Sequence, residues 1–126
     1  MTLRVKAVID ASAMLAFVNR EPGCDVVRGY LRGSVMSAVN YAEVLQKLVE
    51  RSYEQTMLND VISNLRIEIV PFDRMLAEQV ARLYPVAHKG VSLADRACMS
   101  LGLAGKLPIV TDDYEWEELG LGMELV

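Results

Sequence analysis

Histidine occurs once in the chain, at position 88. A single imidazole excludes acid–base chemistry built on a histidine pair, so proton transfer must fall to other side chains. Cysteine is nearly as scarce. Cys24 and Cys98 are the only two, they lie far apart, and neither belongs to a CxxC pair. A metal knuckle and a disulfide framework are both excluded, and a reducing cytoplasm is the expected setting. No apolar run reaches the roughly 18 residues of a membrane span, and the N-terminus lacks a long apolar stretch followed by a small-residue cleavage site, so export is not expected. What the chain has is enough apolar material for a core: 52% hydrophobic and 24% charged residues in 126 positions. That composition argues against disorder, and the length suits one domain over residues 1–126.

Bases are missing from the C-terminal stretch. The formal net charge is −4, which speaks against a polyanionic partner. Yet Asp112, Asp113, Glu115, Glu117, Glu118 and Glu124 all fall after position 111, leaving 13 bases against 11 acids before it. The acidity is local.

Short β-branched runs alternate with helical periods along the chain. Val5–Ile9 reads as a buried strand, and a helix starts at Asp10 and breaks at Pro22-Gly23. Helical stretches are expected at Cys24–Leu31, Ala38–Arg51, Tyr53–Leu65, Asp73–Tyr84, Ser92–Ala104 and Tyr114–Leu119. Strands are expected around Val35-Met36, at Ile67–Pro71 and Lys106–Val110, and at Met123–Val126. The alternation predicts an α/β fold, a three-layer α/β/α sandwich around a short, mostly parallel sheet, in which ligands gather at the carboxyl ends of the strands.

Four acidic positions fall where that edge should be. Asp10 follows the first strand directly, and Thr111-Asp112-Asp113 follows the strand ending at Val110. Glu43 and Asp95 lie in the first turns of two strong helices. With no histidine or cysteine among them, such a cluster suits Mg²⁺ or Mn²⁺ better than Zn²⁺ or copper. Each acid also has a plain structural explanation. Asp10 can be an N-cap, Asn40–Glu43 and Ser92–Asp95 both fit a capping-box spacing, and Asp112 or Asp113 can cap the last helix. The explanations differ in sign: losing a cap costs about 1 kcal/mol, whereas neutralising one of several crowded carboxylates leaves stability level or raises it.

Asp10-Ala11-Ser12-Ala13-Met14-Leu15, Asn40-Tyr41-Ala42-Glu43-Val44, Ser92-Leu93-Ala94-Asp95-Arg96-Ala97-Cys98 and Thr111-Asp112-Asp113-Tyr114-Glu115-Trp116 resemble, in order and interval, the acidic motifs of PIN domains, especially the VapC-type toxin ribonucleases. The resemblance spans nearly the whole chain. It implies an Mg²⁺- or Mn²⁺-dependent endoribonuclease whose products carry a 5′-phosphate and a 3′-hydroxyl. Asp10, Glu43, Asp95 and Asp113 match the family's acids, with Asp10, Asp95 and Asp113 as metal ligands and Glu43 as ligand or base. Thr111 matches the family's hydroxyl, while Ser12, Asn40, Arg96 and the extra carboxylate of Asp112 are accessory candidates. Tyr114 and Glu115 depart from the basic or polar residue usual after the last acid, which puts substrate contact there in doubt.

Cations for an RNA backbone are to be sought among Arg20, Lys47, Arg51, Lys89 and Arg96, and bases have Tyr41, Tyr114 and Trp116 to stack on. For most of these a solvated face, an ion pair or core packing is the plainer role. His88 reads as an exposed loop residue, and the seven methionines as core. The apolar helices from Cys24 to Leu65 carry more apolar surface than a small sheet covers, and the resemblance implies a homodimer held inactive by a cognate antitoxin. A PIN nuclease acting in RNA maturation without an antitoxin and a catalytically inert RNA-binding or assembly module are the alternatives. A phosphatase using Asp10 as nucleophile is disfavoured, because the second acid such enzymes carry two residues on is here Ser12.

Overall fold

The computed structural model describes residues 7–51, 55–85, 91–113 and Trp116. Four strands are present among them: β1 (Val8–Ile9), β2 (Val35–Ser37), β3 (Glu68–Val70) and β4 (Ile109–Val110). All pair in parallel, in the order β3-β2-β1-β4. The chain therefore builds outward from β1 to β3, then crosses back to place β4 on the other side of β1. In a sheet of this kind the order reverses between β1 and β4, and that is where a crevice opens at the carboxyl edge.

Six helices make the crossovers: α1 (Ala11–Val18), α2 (Cys24–Leu31), α3 (Ala38–Glu50), α4 (Gln55–Asn64), α5 (Arg74–Leu83) and α6 (Leu93–Gly105). Successive strand residues point to opposite faces, and the core divides accordingly. Ile9, Met36 and Val110 pack with Met14, Leu31, Val44, Leu48 and Leu58 of α1 to α4. Val8, Val35 and Ile109 pack instead with Cys98 and Met99 of α6, and with Leu83 of α5. The result is the expected three layers, with four helices on one face and two on the other.

Boundaries differ from expectation where local chemistry intervenes. The last described strand starts at Ile109 rather than Lys106, because Lys106 closes α6 in the left-handed conformation (φ 52°) and donates its N–H to the carbonyls of Gly102 and Leu103. Helix α3 starts at Ala38 as expected, but the Asn40–Glu43 spacing is not its cap. Ser37 is its N-cap, accepting from the N–H of Val39 at 3.2 Å. Asn40 is thus inside the helix, and Glu43 has no capping duty. The methionines divide: Met14, Met36 and Met99 are fully buried, but Met57 and Met75 are exposed. The expected helix 114–119 and strand 123–126 lie outside the described residues except for Trp116, as do Tyr53, His88 and Lys89.

Helix α6 lies so close to β4 that Gly102 has no room for a side chain. A Cβ there would sit 2.5 Å from Cδ1 and 2.6 Å from Cγ1 of the buried Ile109. Gly102→Ala should therefore destabilise the fold by about 1–3 kcal/mol despite alanine's better helix propensity. Thermal unfolding of the variant checks this, and a rise in Tm would show that α6 has slack against the sheet.

Candidate active site at the switch point

Asp10 stands one residue beyond β1, at the point where the strand order reverses. It is a helix cap as well as a candidate site residue. One carboxylate oxygen, Oδ1, accepts from the N–H of Ala13 at 2.8 Å and from Ser12 Oγ at 2.7 Å. The other, Oδ2, accepts from the hydroxyl of Thr111, at the end of β4, at 2.5 Å. Thr111 Oγ1 in turn accepts from the N–H of Asp113 at 3.0 Å, and Ser12 Oγ accepts from the N–H of Asp112 at 3.3 Å. Two hydroxyls thus tie the ends of β1 and β4 together around one carboxyl group.

Burial dominates the electrostatics of that group. Asp10 is 5% exposed, and loss of water pushes its pKa from the ordinary 3.8 up to about 6, against the lowering effect of its three hydrogen bonds. The charge of Asp112 adds to the rise.

A second pair of acids comes from helices on opposite faces of the sheet. Ser92 caps α6, accepting from the N–H of Asp95 at 3.1 Å, while Asp95 Oδ2 accepts from the N–H of Ser92 at 3.1 Å. The Ser92–Asp95 capping box therefore exists, and it leaves Asp95 half-buried beside the first turns of α3. Asn40, 1% exposed, donates Nδ2 to the carbonyl of Ala94 at 3.1 Å and so joins the starts of α3 and α6. Its Oδ1 is buried with no partner among the described residues. Glu43 follows one turn later, and its pKa is raised by partial burial and by the charge of Asp95, with Lys47 opposing. The thiol of Cys98, buried in the core, is pushed up by burial and then by the charges of Asp10 and Asp95.

Among the described residues no three His, Cys, Asp or Glu side chains are gathered into a group that could by itself clasp a metal. An open acidic edge remains. Its all-oxygen donors and the raised pKa of buried Asp10 fit Mg²⁺ or Mn²⁺, ions that keep much of their water and are usually held by one or two carboxylates together with substrate phosphates.

Other expected contacts fall elsewhere. Arg96 turns away from the acids: its guanidinium donates to the carbonyl of Val80 at 3.0 Å and lies 5.3 Å from the ring centre of Tyr84, so it joins α5 to α6. Trp116 is 2% exposed and packed in the core with Val8 and Ile109, which removes it as a stacking platform. Tyr41 is half-buried and donates to Asn59 Oδ1 at 3.1 Å, linking α3 to α4. Lys47 pairs with Glu50 at 3.9 Å. Arg20 and Arg51 are exposed. Two features lie beyond the sequence expectation: Ser37 as the cap of α3, signalled by a serine at the end of a strand, and Asn40 as a bridge between helices, for which no local signal exists.

The profile of the PIN domain family matches residues 7–121, and the chain belongs to that family. Similar folds occur in the DNA-bound VapBC of Salmonella typhimurium (17% identity, 98% of each chain covered, TM-score 0.72). They occur also in FitAcB from Neisseria gonorrhoeae (18% identity, 94% of this chain and 95% of that one, TM-score 0.71). A toxin–antitoxin complex from Klebsiella pneumoniae aligns at 14% identity over 86% of this chain and 87% of that one, with a TM-score of 0.71. No curated protein matches by sequence at a significant level.

The raised pKa of Asp10 has a definite consequence for stability. Because the folded value of about 6 lies above the ordinary 3.8, protonated Asp10 favours the fold. That contribution is complete below pH 3.8 and is lost as pH rises through 6, so at neutral pH without metal the ionised group costs on the order of 2–3 kcal/mol. Asn is an equally good N-cap. Asp10→Asn should therefore melt higher than the parent in chelator at pH 7, with the difference vanishing near pH 4. Added Mn²⁺ should raise the Tm of the parent more than that of the variant; an equal response in both would remove Asp10 from the metal site.

Proposed function

We propose that this PIN-domain chain is a metal-dependent endoribonuclease and the toxin of a toxin–antitoxin pair. The observation that carries the reading is Asp10, a buried carboxyl group at the switch point, held by Ser12, Ala13 and Thr111, with a pKa raised to about 6. A group used only as a cap would be more stable in water-exposed surroundings. Asp10, Asp95 and Asp113 are the residues to hold Mg²⁺ or Mn²⁺, with Asp112 as an additional acid whose charge already reaches Asp10. The bound ion supplies charge to offset that of the phosphoryl oxygens and lowers the pKa of water in contact with it.

The chain's own groups supply orientation and proton transfer. Ser12 and Thr111 fix both oxygens of Asp10, so the carboxylate needs no reorganisation when the phosphate arrives. Glu43, with its pKa lifted by burial and by Asp95, is the group to accept the proton of the attacking water on a carboxylate oxygen. Hydrolysis in that sense leaves a 5′-phosphate and a 3′-hydroxyl. The half-buried guanidinium of Arg96, held by Val80, takes no part, and backbone contacts fall to exposed cations such as Arg20 and Arg51.

Exposed apolar side chains on the α2 to α4 side, Val26 (58%), Val49 (69%) and Met57 (42%), support both a homodimer and an antitoxin that covers this surface. No described helix is long and apolar enough to cross a membrane. The proposed place of action is the cytoplasm.

Purified protein should cut total cellular RNA into discrete fragments with Mg²⁺ or Mn²⁺ and not in chelator. Asp95→Asn, which retains an acceptor for the Ser92 N–H, should lose at least about a hundred-fold in rate while melting within a few degrees of the parent. Persistence of cleavage in chelator, or in Asp95→Asn, would overturn the reading. Glu43→Gln should lose a comparable factor, and its remaining rate should no longer depend on pH as the parent's does. An unchanged pH profile would assign the base elsewhere.

A further inference from the structure

Between α1, α2 and the end of β4 lies a cavity of about 410 Å³. That volume is within the range of small-ligand sites. Its walls come from Ala13 and Ala16 of α1 and from Val26 and Val27 of α2, and its rim carries Glu21 and Asp112. The turn between the two helices closes one side and depends on Gly23, whose φ of +93° only glycine adopts readily. At the other side the cavity reaches Thr111, the hydroxyl that holds Asp10. Whatever fills it lies against the hydroxyl that holds Asp10.

The lining decides the chemistry of the occupant. Small aliphatic walls suit a flat apolar body and offer nothing to a phosphate. Among the described residues no basic side chain lines the cavity, and the carboxylates of Glu21 and Asp112 repel phosphate. In single-stranded RNA the groups able to leave the backbone and enter such a slot are the bases, recognised by contacts to their faces and by hydrogen bonds to their edges. A carboxylate only accepts. Guanine alone presents two adjacent N–H donors on its Watson–Crick edge, a match for both oxygens of one carboxylate. Cytosine and adenine offer one amino group beside an acceptor, and uracil offers one N–H between two carbonyls.

We propose that this cavity receives an unpaired guanine of the substrate RNA next to the phosphate to be cut, and that Glu21 determines the preference. The inference rests on the ribonuclease reading and adds the base specificity of the same site. Glu21 is exposed, in the turn rather than the core, so its replacement should leave the fold intact. Glu21→Gln keeps the size of the side chain but turns one of two acceptors into a donor, which opposes the guanine edge.

The test uses the full chain in chelator, titrated with guanosine 5′-monophosphate and, separately, with uridine 5′-monophosphate, while the amide signals of Val26, Val27 and Thr111 are followed by NMR. The guanine nucleotide should shift these signals and bind about ten-fold more tightly than the uridine nucleotide, and Glu21→Gln should abolish the difference. In Mg²⁺, oligonucleotides differing by G or U beside the cut should show the same ten-fold preference in the parent and none in Glu21→Gln. Equal binding of the two nucleotides, shifts confined to other amides, or a preference that survives Glu21→Gln would overturn the proposal. Shifts produced by N-acetylarginine amide and by neither nucleotide would also overturn it, reassigning the cavity to a basic peptide side chain. RNA cleavage without base preference would sink the guanine site and leave the nuclease standing. Guanine binding without any RNA cleavage would support the guanine site and sink the nuclease.

Discussion

The hydrogen bond from the Thr111 hydroxyl to Asp10 is the constraint on which the edge of this molecule depends. Two strands distant in the chain end side by side, and their ends are closed by a buried carboxyl group rather than by apolar packing. An ionised carboxylate in such a place is unfavourable unless its oxygens are satisfied and its charge is offset. Thr111, Ser12 and the Ala13 N–H meet the first requirement. Among the described residues none of the effects acting on Asp10 comes from a basic side chain, so the charge there is open to a cation. That imbalance turns a structural joint into a candidate centre for a hard cation.

Capping and site chemistry are not alternatives here. Asp10 caps α1, and Asp95 completes the box that starts α6. A cap lies by necessity where a strand has ended and a helix begins, which in a parallel sheet is the ligand edge. The same hydrogen bonds that satisfy a helix start also fix the direction of a carboxylate. Glu43 is different. Because α3 is capped by Ser37, Glu43 in its second turn has no capping duty, and it stands between Lys47 one turn on and Asp95 from the other face of the sheet. Asn40 secures that meeting by bonding to the residue just before Asp95.

The acidic edge also shapes what is missing around it. Arg96, one residue after Asp95, points to Val80 and Tyr84 and so cannot neutralise its neighbour. Lys47 alone is found to oppose the upward shift of Glu43. The cavity between α1, α2 and the end of β4 continues this character, with apolar walls and carboxylates at its rim.

Much of this was legible in the chain. Strand and helix order, the parallel sheet and the presence of Asp10, Glu43, Asp95 and Thr111-Asp112-Asp113 at one edge follow from hydrophobic period and from acids placed at element ends, both local signals. Neighbouring residues decide them, so a single chain suffices. Three-dimensional packing decided the remainder. Nothing near Arg96 announces that α5 will offer a carbonyl and a ring, nor near Trp116 that Val8 and Ile109 will enclose it. The start of α3 at Ala38 was legible, but not that Ser37 caps it. Whether Asp10 becomes a surface cap or a buried near-neutral acid depends on how much water the crossing of β4 beside β1 removes, a property of elements about a hundred residues apart. Residue types and order determine which groups reach the edge; desolvation, set only when the sheet closes, determines what those groups can do there.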